Sequence, residues 1–256
     1  MIGIFDSGVG GLTVVKELRR QLPRASFIYL GDNARTPYGN RGQEIIQKYS
    51  AEDADFLLAK GVTAIVVACN TASALAGDYL KQKYQVPIFE VVAPAAQAAV
   101  SGSAGRIGVI GTRGTIGSGA YEKAIISLNP AAKVFSQGCP LLVPLAEEHW
   151  FDRAETKMII RGYLQSLKMK DIDTLILGCT HYPLLKKAIR AKIGARVKLI
   201  DPAEEVIKKL ADYLRLQPPV DEDQIQEFYA TDPAGRFKEI GESWLKEKID
   251  LKKADL

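Results

Sequence analysis

Three cysteines in 256 residues are few, and the count is odd. That excludes a secreted scaffold held by paired disulfides, and a chain this long buries enough surface to need none. The sequence has two histidines and two tryptophans. There is no uninterrupted apolar run of about 18 residues, so no membrane-spanning segment is expected. A basic leader followed by an apolar core is also missing: the chain opens Met-Ile-Gly-Ile-Phe-Asp, directly into a strand pattern. The expectation is a cytoplasmic protein. Neither charge sign dominates. The net charge of +4 comes from 34 basic and 30 acidic residues that are interspersed, which gives no argument for nucleic acid. Also lacking are GxxxxGK[ST], GxSxG and, because position 13 is Thr, GxGxxG after the first strand.

What is present is an alternation of short apolar runs and amphipathic stretches. Strands are expected at Met1–Phe5, Ser26–Leu30, Ala64–Ala68, Val86–Val92, Arg106–Ile110, Lys133–Ser136, 174–178, Val197–Ile200 and Gln226–Ala230. Helices are expected at Leu12–Leu22, Gln43–Lys60, Thr71–Tyr84, Ala93–Val100, through Leu128, from Asp152 (whose side chain can cap it) to Leu167, Pro183–Ile193, Pro202–Leu214 and from Glu239. Residues 33–42, with Pro37, Gly39 and Gly42, read as irregular, and Leu216–Asp223 as a linker. The pattern is that of an α/β protein with mostly parallel, helix-covered sheets.

One phrase occurs twice. Thr63-Ala-Ile-Val-Val-Ala-Cys-Asn-Thr71 and Thr174-Leu-Ile-Leu-Gly-Cys-Thr180 both run apolar strand, small residue, cysteine, then a threonine. The echo points to two similar halves. Each thiol falls at the carboxyl end of a strand and before a helix start, where parallel sheets bind ligands and helix dipoles favour anions. Other strands deliver Asp6 and Ser7, Asp32 and Thr112 to the same kind of position. His181 lies two residues after Cys179, on the same side if the chain there is extended. His149 and Cys139 have no such setting and read as a loop residue and a structural thiol.

Four chemistries use two such thiols. A redox pair needs disulfide reach, which spacing does not decide. A zinc site can draw on Cys69, Cys139, Cys179 and His181, though not at finger or ribbon spacing. A Cys–His hydrolase leaves the matched second thiol without a role. Two-base proton transfer at a carbon uses one thiol on each face of the substrate.

The chain resembles the cofactor-independent glutamate racemases of the aspartate/glutamate racemase superfamily. The resemblance rests on Phe5-Asp-Ser-Gly-Val-Gly-Gly-Leu12, Pro37-Tyr-Gly39, Ala68-Cys-Asn-Thr-Ala-Ser73 and Gly178-Cys-Thr-His-Tyr-Pro-Leu184, in that order. It implies two pseudo-symmetric doubly wound α/β lobes, residues 1–93 with 204–256 and residues 94–203, with the active site at their interface. It implies interconversion of L- and D-glutamate, supplying D-glutamate for peptidoglycan. Cys69 would take the proton from D-glutamate and Cys179 from L-glutamate. Asp6, Asp32 and His181 would assist, with Glu147 or Glu148, of which Glu147 is favoured, paired to the histidine. Ser7, Tyr38, Gly39, Asn70, Thr71, Thr180 and His181, with Asp6, would bind the substrate. Asn70, Thr71 and Thr180 suit its carboxylates, and Asp6 or Asp32 its ammonium. No cofactor, metal, nucleic acid or membrane partner is implied, and a homodimer is. Because the chain opens at the first strand, turnover without a cell-wall precursor as activator is expected. Glu90-Val-Val-Ala-Pro94 departs from the family's pattern and bears on no catalytic residue. The alternative reading is a racemase for aspartate or another amino acid, then a Cys–His hydrolase.

Overall fold

The computed structural model describes residues 1–217, 224–234 and 236–256. Of the expected linker, residues 218–223 lie outside the described residues. The chain divides into two compact units, Met1–Val91 with Ala203–Leu256, and Val92–Pro202.

The first unit is built on β1 (Ile2–Asp6), β2 (Phe27–Gly31), β3 (Ala64–Val67), β4 (Ile88–Glu90), β9 (Gln226–Ala230) and β10 (Leu251–Lys253). Among the described residues its strand order is β10-β9-β2-β1-β3-β4, with every pairing parallel. Its helices are α1 (Leu12–Gln21), α2 (Gln43–Ala59), α3 (Asn70–Lys83), α10 (Pro202–Arg215) and α11 (Arg236–Leu245). β1, β2 and β3 are buried along their whole length, which is why they read as apolar runs rather than alternating ones. Helix α2 lays Ile46, Ser50, Asp53, Ala54 and Leu57 into the core, so one carboxyl group shares the apolar stripe. Gly61, at φ +80°, ends that helix in the left-handed conformation glycine tolerates.

The second unit holds β5 (Arg106–Gly111), β6 (Lys133–Gly138), β7 (Thr174–Gly178) and β8 (Lys198–Ile200), in the order β6-β5-β7-β8 and again all parallel. Around it lie α4 (Val92–Ser101), α5 (Arg113–Gly117), α6 (Ala120–Leu128), α7 (Leu142–Glu147), α8 (Ala154–Met169) and α9 (Lys186–Ile193).

The two sheets repeat one winding. The run β2-β1-β3-β4 in the first corresponds to β6-β5-β7-β8 in the second. In each, the chain moves from its opening strand to one neighbour, then crosses back to the other side. The switch points lie between β1 and β3 and between β5 and β7, and at a switch point the strand ends leave a crevice. Cys69 follows β3 and Cys179 follows β7 in equivalent places.

Several expectations need correcting. α8 is preceded by Arg153, not capped by Asp152, whose carboxylate instead pairs with Lys157 at 2.9 Å. The 138–148 stretch, where the sequence pattern marks no element, carries a helix, α7. The expected helix 183–193 is a 3-10 turn, Tyr182–Leu185, with Pro183 in its first positions, followed by α9. β4 spans three residues of the expected seven, and β10 carries too little apolar content to stand out. Within 33–42 there are two single 3-10 turns, Asn33–Arg35 and Tyr38–Asn40. No helix among the described residues is long and apolar enough to cross a membrane.

The turn after β1 depends on a missing side chain. A Cβ on Gly11 would stand 2.4 Å from the Asp6 Cβ and 2.7 Å from the Tyr29 hydroxyl. Gly11→Ala is expected to lower stability by about 1–3 kcal/mol through overpacking. Gly42→Ala, with open space around it, should stay within about 0.5 kcal/mol of the parent. Urea unfolding of the two variants checks this.

Candidate active site

In the first unit, β1 ends in Asp6, which is fully buried and accepts the Gly8 N–H at 3.1 Å. The Tyr29 hydroxyl donates to the Gly8 carbonyl at 2.6 Å and ties the same turn down from β2. Burial, then the charges of Asp6 and Cys69, push the Tyr29 phenol well above its ordinary range, so it remains a donor. Sequence reasoning missed Tyr29, because a tyrosine inside an apolar strand is indistinguishable from core.

Cys69 is the cap of α3. Its sulfur accepts the Ala72 N–H at 3.5 Å, while the thiol lies 3.5 Å from the Ser7 Oγ and points toward it. The position gathers the free N–H groups of a 14-residue helix, a setting that favours negative charge. Asn70 and Thr71 form the first turn, and both are buried. Ser73, one turn on, is spent on structure: it donates to the Val67 carbonyl at 3.0 Å and accepts the Val91 N–H at 3.2 Å.

Asp32, immediately after β2, is also fully buried. Its Oδ2 accepts Arg35 Nε at 2.6 Å and the Tyr38 hydroxyl, and its Oδ1 accepts Thr231 Oγ1 at 3.1 Å. The Tyr38 hydroxyl is therefore directed at Asp32, and also at Asp53 on α2 at 3.0 Å. Tyr38 is buried, so this ring anchors the 33–42 loop; Gly39 stands beside it in the same 3-10 turn. Arg35 bridges Asp32, Asp53 and Glu52. Neither Arg35 nor Asp53 stood out in the sequence. A signal was there: Asp53 interrupts the apolar stripe of Ile46, Ala54 and Leu57.

In the second unit, Cys179 and His181 do not lie along an extended chain. The backbone turns at Cys179, whose carbonyl accepts the Tyr182 N–H at 3.1 Å, and His181 is helical at φ −79°, ψ −26°. The turn, not strand alternation, brings the His181 Nδ1 within 3.8 Å of the Cys179 sulfur and 3.5 Å of Thr180 Oγ1. The other ring nitrogen, Nε2, is 2.9 Å from the Glu147 Oε1 at the end of α7. Of the two adjacent glutamates it is thus Glu147 that reaches the ring. Burial works against a charge on this imidazole. Cys179 and Glu147 together outweigh it and raise the group to about 10, so His181 is an imidazolium at neutral pH.

Thr112, the residue after β5, accepts the Thr115 N–H at 3.1 Å and caps α5. Cys139 follows β6, where Asp32 follows β2. It is fully buried, and burial with the neighbouring Cys179 lifts its thiol to about 12, which leaves it inert. His149 is an exposed residue at φ +56° in the turn after α7, packed edge-on against Phe151. Among the described residues no group of three or more His, Cys, Asp or Glu side chains is placed to hold a metal ion. Each unit thus gathers its own polar cluster: Asp6, Ser7, Cys69, Asn70 and Thr71, with Asp32, Tyr38 and Gly39 beside them, in the first, and Cys179, Thr180, His181 and Glu147 in the second.

Comparison with known proteins supplies the context. A family model described as Asp/Glu/Hydantoin racemase matches residues 2–210. The chain is 47% identical over 252 residues to the glutamate racemase of Geobacter metallireducens, covering 97% of this chain and 93% of that one. Its fold is similar to the crystal structure of a glutamate racemase isoform from Bacillus anthracis, with a TM-score of 0.95 and 42% identity over 100% of this chain and 97% of that chain. It is similar too to the glutamate racemase of Francisella tularensis solved with D-glutamate, with a TM-score of 0.92 and 38% identity over 100% and 97% of the two chains.

The raised His181 pKa couples folding stability to pH. Its contribution to stability is fully present below the unfolded-state value near 6.5 and is lost as pH rises through about 10. Glu147→Gln removes one of the two raising partners. NMR titration of the His181 ring should move its midpoint down from about 10. The urea midpoint of the wild type should fall more steeply than the variant's between neutral pH and 10.

Proposed function

The chain belongs to the aspartate/glutamate/hydantoin racemase family, and from that premise we propose that it interconverts L- and D-glutamate by two-base proton transfer at the α-carbon. It is an isomerase of amino acids. The observation that carries the two-base reading is the repeated winding of the two sheets, which puts one cysteine after the equivalent strand in each. An acid and a base on opposite faces of a carbon centre invert it directly. Two thiols from a duplicated framework supply that pair.

In the proposed reaction Cys69 takes the α-proton of D-glutamate, and Cys179 gives a proton to the other face. The reverse holds from L-glutamate. The two half-sites differ in what surrounds the sulfur, and this suits two different partners. Cys179 faces an imidazolium held by Glu147, which supports the sulfur's negative charge and keeps a proton donor in place. Cys69 has Ser7 and the start of α3 instead. The α-proton is weakly acidic, so the developing negative charge needs electrostatic stabilisation without a cofactor ring to spread it. Asn70, Thr71 and Thr180, with the backbone N–H groups near them, serve the substrate carboxylates. Asp6 and Asp32 assist at the ammonium side, through the Asp6 turn and the Arg35-held carboxylate.

The product D-glutamate would serve cell-wall peptidoglycan, from a cytoplasmic homodimer. Circular dichroism of L- and of D-glutamate solutions, repeated with both aspartate enantiomers, tests the substrate. Optical activity decaying from both glutamate enantiomers is expected; decay from aspartate alone would reassign the enzyme within its family. Cys69→Ser and Cys179→Ser are each expected to lower racemisation by about 100-fold or more, since each removes one acid–base group. A variant that keeps the parent rate removes that thiol from the mechanism.

A further inference from the structure

Asp53 is a fully buried carboxyl group that the proposed reaction does not use. Its neighbours fix where its proton must be. The Tyr38 hydroxyl has a single hydrogen but faces two carboxyl oxygens, Asp32 Oδ2 and Asp53 Oδ2. It cannot serve both at full strength, and a proton on the other carboxyl, donated to the tyrosine oxygen, makes both contacts complete hydrogen bonds. Asp32 accepts from Arg35 Nε and Thr231 Oγ1 besides Tyr38, whereas among the described residues Asp53 has only Arg35 Nη2, at 3.0 Å on Oδ1, besides the tyrosine. The better supplied carboxylate is the one that stays charged.

The charge balance agrees. Among the described residues the groups that act most on Asp53 are Asp32, Arg35, Tyr38 and Glu52, of which Arg35 is the cation. Its guanidinium stacks on the Tyr49 ring with its central carbon 4.2 Å from the centroid, and it already pairs with Glu52 and Asp32. Glu52 has a second cation in Lys48 at 4.0 Å, which leaves one guanidinium for the two fully buried carboxyl groups, Asp32 and Asp53. Burial, then the charge of Asp32, lifts Asp53 well above the carboxylate range.

We propose that Asp53 is a neutral carboxylic acid that donates to Tyr38, so that Tyr38 in turn donates to Asp32 and holds that carboxylate in one orientation at the end of β2. Asp53 is a positioning residue: it acts on the substrate only through Tyr38 and Asp32. The orienting part rests on the racemase reading of Asp32, while the protonation part does not.

The neutral acid has a close mimic. In Asp53→Asn the amide N–H replaces the acid's donor to Tyr38, and the amide oxygen can still accept from Arg35. Infrared spectroscopy of the full chain at neutral pH should show the C=O stretch of a buried protonated carboxylic acid. The band should vanish in Asp53→Asn and remain in Glu52→Gln. A band that persists in Asp53→Asn, or is missing from the wild type, overturns the placement of the proton.

Kinetics then read the orienting role. Asp53→Asn should keep kcat and KM within about twofold of the parent and leave the acid limb of the kcat/KM profile in place, because every hydrogen bond is retained. Asp53→Leu leaves Tyr38 without a donor and one Arg35 nitrogen without an acceptor. It should lower kcat/KM by about 10-fold or more and shift that limb. A folded Asp53→Asn that loses activity, or a folded Asp53→Leu that keeps the parent profile, overturns the orienting role. If the wild type does not racemise glutamate in the same assay, the functional reading fails, and the infrared band still decides the placement of the proton.

Discussion

A strand buried on both faces can carry almost no polar chemistry along its length. It presents functional groups only where it stops. β1, β3, β5 and β7 are such strands, and each stops at a switch point of a parallel sheet. Asp6, Cys69, Thr112 and Cys179 owe their places to that constraint. The winding is repeated, so the same constraint acts twice and delivers a thiol each time.

The repeat is one of framework, and the surroundings diverge. After β2 comes Asp32, tied to Arg35, Tyr38 and Thr231; after the equivalent β6 comes Cys139, an inert core thiol. After β3 the cysteine caps a long helix, and after β7 it starts a tight turn that swings His181 against it. The cluster in the second unit carries its own cation, braced by Glu147. The first relies on a helix start and on a buried polar cluster behind Asp32. For a reaction whose substrate enters in either hand, two unlike acid–base groups on one framework are a reasonable solution.

Much of this is legible in the residues. The apolar runs gave nearly all the strands, since period and composition report burial directly. Cys69, Asn70 and Thr71, or Cys179, Thr180 and His181, stand out because a small residue and a thiol interrupt such a run. What stayed hidden depends on tertiary partners. Whether Asp152 or Arg153 precedes α8 depends on a competing pair with Lys157. The bend at Cys179 is set by the 3-10 turn, so strand alternation gave the right neighbours by the wrong geometry. Arg35, Asp53 and Tyr29 act through partners distant in the chain, 18 residues from Arg35 to Asp53, 15 from Asp53 to Tyr38 and 21 from Tyr29 to Gly8. No local pattern encodes those pairings, although an aspartate on the apolar face of α2 was a visible sign of one.

The central claim is that two thiols, one in each unit, work on opposite faces of one carbon. The most direct test runs the reaction in D2O, stops it early, separates the enantiomers and reads the hydrogen at the α-carbon by mass spectrometry. Thiol protons exchange with solvent, so the thiol that reprotonates the carbon delivers deuterium. The product should carry deuterium and the recovered substrate none, starting from either L- or D-glutamate. A product that keeps the substrate's own hydrogen, or recovered substrate labelled as fast as product, would mean that a single base serves both faces and would contradict the account.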